Sequence, residues 1–262
     1  MKRAENAADF GLLASKLRKM KLSAMADKLD EQCANPNIDL VPASSRIEEL
    51  VNAEWDIRYN KKLSRYFSAA RLRYPDASLD DSLYDPERKI DADVITALST
   101  CDWVAEGRNI LVTGYAGTGK TYIVNALCVS AIRKFMTVRY GKAMDLIYEI
   151  QKADLENRHE QMVKETKKID VLVIDDFGLM ELSADKTRGL FEIIDAREGV
   201  KSTVVIAQLP VSSWYSLFGD NTYADAIMDR LVHRAYRIEL NGKNMRNPQL
   251  NKTKQGKRGQ GD

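Results

Sequence analysis

From Phe10 to Leu29 apolar residues return at steps of three and four: Phe10, Leu13, Leu17, Met20, then Leu22, Met25 and Leu29. That spacing predicts one amphipathic helix. Asn35-Pro36-Asn37 interrupts it. Ser45-x-x-Glu48 reads as a capping box that opens a long second helix carrying Ile47, Leu50, Val51, Trp55, Leu63, Tyr66 and Phe67. Tyr74-Pro75 is expected to end it, because the residue before a proline is pushed away from the helical region. Residues 76 to about 100 are acidic and short-patterned, as a linker would be. From Trp103 onward the pattern changes to short apolar runs alternating with helical periods: 109–113, 120–134, 136–140, 143–152, 158–168, 170–175, 185–197, 202–208, 224–232 and 235–240. Such alternation predicts a parallel sheet flanked by helices. After Pro248 the chain is polar and rich in Gly and Lys, and it reads as disordered. The expected organisation is an N-terminal helical domain at 1–75, a linker at 76–104, an α/β domain at 105–250 and a basic disordered tail at 251–262.

Within the α/β part, Gly114-Tyr115-Ala116-Gly117-Thr118-Gly119-Lys120-Thr121 fits G-x-x-x-x-G-K-[ST] in full. Glycines let the backbone reach positive φ and bring several N–H groups against phosphate oxygens. Lys120 is placed to meet the β and γ phosphates of a nucleoside triphosphate, and the Thr121 hydroxyl to ligate Mg²⁺. Context supports the motif, since an apolar run at 109–113 precedes it and Ile123, Leu127 and Ala131 follow at helical spacing. A strand, a glycine loop and a helix N-terminus together present amides and the positive end of a dipole to an anion.

Downstream, Val171-Leu-Val-Ile174 reads as a strand buried on both faces, ending in Asp175-Asp176. Such strands end at the ligand edge of an open α/β sheet. Two adjacent carboxylates there repel unless a cation offsets them. Asp175 is the candidate to hold Mg²⁺, as the Walker-B aspartate does, and Asp176 to polarise the attacking water.

Composition changes this picture only locally. The 262 residues carry a formal net charge of +2. Arg58, Lys61, Lys62, Arg65, Arg71 and Arg73 nonetheless fall in a stretch with a single acid, Asp56, and with Tyr59, Tyr66, Phe67 and Tyr74 interleaved. Cations beside aromatics on a helix suit a phosphate backbone, although a solvated helix face has the same signature. The three cysteines, Cys33, Cys101 and Cys128, show no C-x-x-C spacing. With no signal peptide or membrane-spanning apolar stretch, reduced thiols in a cytoplasm are expected. His159 and His233 are the only histidines, which argues against a histidine-rich metal site or a His-based triad; both read as ordinary surface or interface residues.

Several longer stretches resemble one family. Leu50-Val-Asn-Ala-Glu-Trp55, Ala70-Arg-Leu-Arg73, Cys101-Asp-Trp103, Asn109 through Thr121, Asp175-Asp-Phe-Gly178, Ser202 through Trp214 and Gly219 through Leu240 are similar to the IstB family of transposition helper ATPases. These are relatives of the DnaC-type helicase loaders within the AAA+ class. The resemblance implies a small all-α N-terminal domain before an AAA+ core, with a five-stranded parallel sheet and the strand before the phosphate loop central. It implies further roles: Gln208 at the sensor I position, where Asn is usual; Arg230 as an arginine finger, with Arg234 as the competing position; Arg246 at the sensor II position. The chain ends too soon after Arg246 for the usual helical lid. Arg133, Lys134, Arg139 and Lys142 are candidates for a basic inner face.

The function implied is an ATPase that uses ATP and Mg²⁺, assembles as a higher oligomer on double-stranded DNA largely without regard to sequence, and activates or targets a transposase of an insertion sequence. A DnaC-like replicative helicase loader would carry the same core motifs. A small-molecule P-loop kinase, or a nucleotide-gated scaffold with negligible turnover, also fits the phosphate loop.

Overall fold

The computed structural model describes residues 2–80, 91–241 and 245, and the chain forms two compact units, Met1–Arg65 and Tyr66–Asp262. The division falls inside the long helix rather than at residue 75.

In the first unit the stretch expected to be one helix is two, α1 (Lys2–Lys19) and α2 (Ser23–Ala34). The break lies at Lys21, which takes a left-handed φ of 61°. There the Leu22 N–H returns to Leu17 O at 2.9 Å and the Lys21 N–H to Arg18 O at 3.0 Å. This pair of bonds closes a helix C-terminus in the Schellman manner. Apolar spacing continues across the corner, so periodicity alone did not reveal it. Arg18 spans the corner to Asp27 at 2.8 Å and Asp30 at 2.7 Å. Ala14, Ala26 and Leu29 form the small core, with Phe10, Leu17 and Leu50 packed on it.

Helix α3 (Ala43–Ala70) starts before Ser45, with the Arg46 N–H on Pro42 O at 3.2 Å, so Ser45 lies in the first turn and does not open the helix. It ends four residues ahead of Tyr74, where Arg71 adopts a φ of 54°. Glu54 on α3 accepts the Ala24 and Met25 N–H groups at 3.0 and 3.2 Å. It thereby satisfies donors that Leu22, the residue at the N-cap of α2, has no side-chain acceptor to serve.

In the second unit α4 (Ala92–Ser99) and α5 (Asp102–Ala105) lie in the stretch expected to be a linker. Their Ile95, Leu98, Trp103 and Val104 are buried, and the Trp103 indole donates to Leu98 O at 2.9 Å. Short helices with apolar contacts on one side resemble a linker in sequence, but here they belong to the packed unit.

The five parallel strands are β1 (Ile110–Gly114), β2 (Val138–Lys142), β3 (Val171–Phe177), β4 (Ser202–Ala207) and β5 (Tyr236–Leu240), in the order β2-β3-β4-β1-β5. The middle strand is therefore β4; β1 lies between β4 and β5. Between the strands run α6 (Lys120–Arg133), α7 (Ala143–Leu155), α8 (His159–Lys167), α9 (Ala184–Arg197) and α10 (Asn221–Val232). Alternate strand residues serve two sides. Leu111, Leu172, Ile174 and Val205 join the large core with α7, α9 and α10, while Ile110, Val112, Val173 and Ile206 are buried on the other side. Burial of both faces explains the unbroken apolar runs Val171–Ile174 in β3 and Val204–Ala207 in β4.

At the end of the sheet away from the phosphate loop, the buried Arg197 donates to Thr166 O at 2.5 Å, Ile169 O at 2.8 Å and Ser202 O at 2.6 Å. Burial pushes its guanidinium down to about 10, and the carbonyls supply the partners that a buried charge requires. His159, expected to be an ordinary surface or interface residue, sits between Asp154 and Glu192, with 2.6 Å from each ring nitrogen to a carboxylate oxygen.

Candidate nucleotide site

The carboxyl end of β1 runs into the phosphate loop, and α6 begins at Lys120. Gly114 has a φ of +139°, and a Cβ there would lie 2.2 Å from Leu240 O on β5. Only glycine lets β1 turn this close to its neighbour. Gly117 and Gly119 also have positive φ, 83° and 88°. Lys120 Nζ donates to Gly114 O at 2.6 Å and Tyr115 O at 2.8 Å. The Tyr115 side chain is 77% exposed, so that residue serves the loop through its backbone. Ala116 and Thr118 complete the loop, with the Thr118 hydroxyl on Tyr115 O at 2.9 Å. Beyond it, the buried Asn125 on α6 accepts the Tyr74 N–H at 3.0 Å and donates to Thr121 O at 2.6 Å.

The two carboxylates of β3 are held differently. Asp175 is 3% exposed. Its Oδ2 accepts the Thr121 hydroxyl at 3.0 Å and the Tyr140 hydroxyl, and its Oδ1 accepts the Asp176 N–H at 2.7 Å. Burial, together with the hydrogen bond to Asp175, raises the Tyr140 phenol above its ordinary range. Asp176 sits in an irregularity where the β3–β4 register shifts between Ile174 and Phe177, with a φ of 57°. Its carboxylate meets Lys142 Nζ at 3.2 Å. A bulge at the end of a strand re-aims a side chain, and here it separates two consecutive Asp residues into distinct surroundings.

Tyr74, Lys120, Thr121, Asp175, Asp176 and Gln208 line one cavity of about 390 Å³. Gln208 lies just past β4 and is exposed to it. Met245 reaches the same place, with its N–H on Gly117 O at 2.9 Å. Arg246 falls outside the described residues, as do Lys243 and the tail 251–262.

Arg230 is not in this cavity's lining. It lies in the last turn of α10, paired with Asp195 at 2.7 Å and Glu198 at 3.3 Å and stacked 4.9 Å from the centre of the Phe191 ring. Arg234 follows in a left-handed turn with a φ of 56°. Of the cations expected on an inner face, Arg139 pairs with Glu149, Lys142 with Asp176, and Lys134 donates to Thr100 O. Three of those four thus have intramolecular partners.

Sequence spacing missed Tyr140, Lys142 as a partner of Asp176, and Tyr74. The first two sit on β2, and nothing in the sequence says that β2 lies against β3. The Lys142↔Asp175 register decides it.

A divalent ion suits this arrangement. Thr121 Oγ1 and Asp175 Oδ2 are hard oxygen donors already 3.0 Å apart, and Mg²⁺ takes one or two protein oxygens and completes its shell with phosphate and water. Among the described residues no group of three or more His, Cys, Asp or Glu could hold a metal alone.

The sequence profile of the IstB-like ATP binding protein family matches residues 15–253. The chain belongs to that family. An insertion sequence ATP-binding protein of Sinorhizobium fredii, y4pL, is 34% identical over 238 residues, which cover 91% of this chain and 97% of that protein. The ATP-binding protein of insertion sequence IS1162 from Pseudomonas fluorescens is 32% identical over 199 residues, covering 76% and 86%. Among solved structures, DnaI is similar at a TM-score of 0.54 and 21% identity over 64% of this chain and 92% of that one. The DnaC helicase loader is similar at 0.50 and 22%, covering 64% and 99%. At these identities the likeness is one of fold, a P-loop AAA+ core, as expected from the sequence. No helix among the described residues is long and apolar enough to cross a membrane.

Proposed function

We propose that the protein is a cytoplasmic ATPase that assembles on duplex DNA and activates or targets the transposase of an insertion sequence. The observation that carries the catalytic part is the convergence of Lys120, Thr121, Asp175, Asp176 and Gln208 on one cavity. The insertion-sequence part rests on family membership and on the names of the relatives.

In this reading the loop amides and Lys120 hold the triphosphate, and the ammonium exchanges its two carbonyl partners for phosphate oxygens. Thr121 and Asp175 hold Mg²⁺, which when bound supplies charge stabilisation at the β and γ phosphates. Asp176 accepts a proton from the attacking water, and Gln208 orients that water or the γ-phosphate. Arg230 of one protomer reaches the nucleotide of the next after leaving Asp195 and Glu198. Assembly is then favoured by the γ-phosphate and weakened by hydrolysis.

The test is ATP hydrolysis with and without duplex DNA, alongside nucleotide binding, for the wild type and Lys120→Ala. Stimulation by DNA, lost together with binding in Lys120→Ala, is expected. Phosphate transfer indifferent to DNA would indicate a kinase, and binding without turnover a scaffold.

A further inference from the structure

Asp175 has an unusually complete set of donors for a carboxylate meant to share a metal ion. Thr121 and Tyr140 both donate to Oδ2, and the Asp176 amide donates to Oδ1. The Thr121 bond follows from its role, since its lone pairs face the ion and its proton needs an acceptor. The Asp176 amide comes with the bulge. The Tyr140 bond has neither explanation. It arrives from another strand, with Tyr140 opposite Val173 in the β2–β3 register, two residues before Asp175.

We infer that Tyr140 is a positioning residue for Mg²⁺: its hydroxyl fixes the Asp175 carboxylate so that Oδ2 stays beside Thr121 whether or not the ion is bound. The inference rests on the nucleotide-site reading above. Without the phenol, Oδ2 of Asp175 would be held by Thr121 alone, on a terminal torsion that is intrinsically broad. Its metal-facing oxygen would then depend on the group that must also bind the metal. A phenol anchored in a strand removes that dependence. Its ring is half-buried, and the hydroxyl is rigidly placed at the end of a side chain with few torsions. Partners of metal ligands act in this way elsewhere, and their loss typically costs roughly 10–100-fold in metal affinity.

The experiment uses the full chain and a fluorescent ATP analogue, titrated first in EDTA and then with Mg²⁺ at fixed nucleotide. Tyr140→Phe keeps the ring and removes only the hydroxyl. Its nucleotide affinity in EDTA should equal that of the wild type, and its half-saturating Mg²⁺ should rise roughly tenfold. The same substitution in an Asp175→Asn background should produce no further rise, because the two groups act as one unit. An unchanged Mg²⁺ half-saturation in Tyr140→Phe overturns the inference. So does loss of EDTA-state binding, or an equal shift in the Asp175→Asn background, either of which would make Tyr140 a packing residue. A wild type whose nucleotide binding ignores Mg²⁺ would instead count against the nucleotide-site reading itself.

Discussion

Asp176 combines a left-handed backbone, a place in the β3 bulge and a salt bridge to Lys142 at 3.2 Å. Asp tolerates that backbone region better than most residues, which allows the strand to present two successive carboxylates in different directions. If Asp176 takes the proton from water, Asp176→Asn should leave ATP binding intact and lower turnover by roughly 10²–10⁴-fold, the range of a general base. Binding of a fluorescent analogue and single-turnover hydrolysis measure the two separately. Normal turnover in the variant would assign the base elsewhere. The phosphate loop and the Asp pair were legible because their chemistry is carried by a few consecutive residues. The partners of the Asp pair were not, since Tyr140 and Lys142 lie more than thirty residues upstream and are joined to it only by strand register.

At the scale of elements, α3 carries the candidate DNA footprint, and the structure narrows it. Arg58 is committed to Glu54 at 2.7 Å and to Lys21 O at 2.8 Å, so it helps to hold the corner between α1 and α2 against α3. Lys61, Lys62 and Arg65 are exposed. If they lie along a duplex, log affinity should fall with log salt by about 0.9 per phosphate neutralised. Replacing all three with Ala should reduce that slope by up to about three such units while leaving ATP binding unchanged, and the loss should be nearly independent of DNA sequence. Fluorescence anisotropy across a salt series measures it. A wild-type slope in the triple variant would make this a solvated helix face and assign DNA to the core, where Arg133, Lys134 and Lys142 are the exposed cations of the four first considered there.

At the scale of the whole molecule, the proposed active site is shared between protomers, and Arg230 is the residue that decides it. Its ion pairs to Asp195 and Glu198 join a guanidinium 23% exposed, stacked on Phe191, to carboxylates that are nearly half exposed. Such pairs are worth about 1 kcal/mol or less, little enough to be exchanged for a neighbour's phosphate. An arginine supplied in trans is worth roughly 10³–10⁵ in rate in GTPases. Mixing Arg230→Ala with Lys120→Ala protein should therefore restore measurable ATP turnover, through interfaces that combine one intact half from each. Recovery only in mixtures containing Arg234→Ala, and none with Arg230→Ala, would move the finger to Arg234.

Within the α/β part, the sequence by itself determined the number and approximate ends of the strands, the phosphate loop and the order of its chemical parts. Those depend on periodicity and on contacts within about ten residues, which composition and spacing carry directly. Tertiary structure alone decided that β4 rather than β1 is the middle strand, that Lys21 breaks the first helix in two, and that Glu54 caps α2 from another helix. It alone decided that Arg197 joins α8, the turn leading into β3, and β4 through their carbonyls, and that Tyr140 and Lys142 each hold one of the two adjacent aspartates. Apart from the local turn at Lys21, each of these is a meeting of groups far apart in the chain, settled by register and packing among many alternatives of similar local pattern.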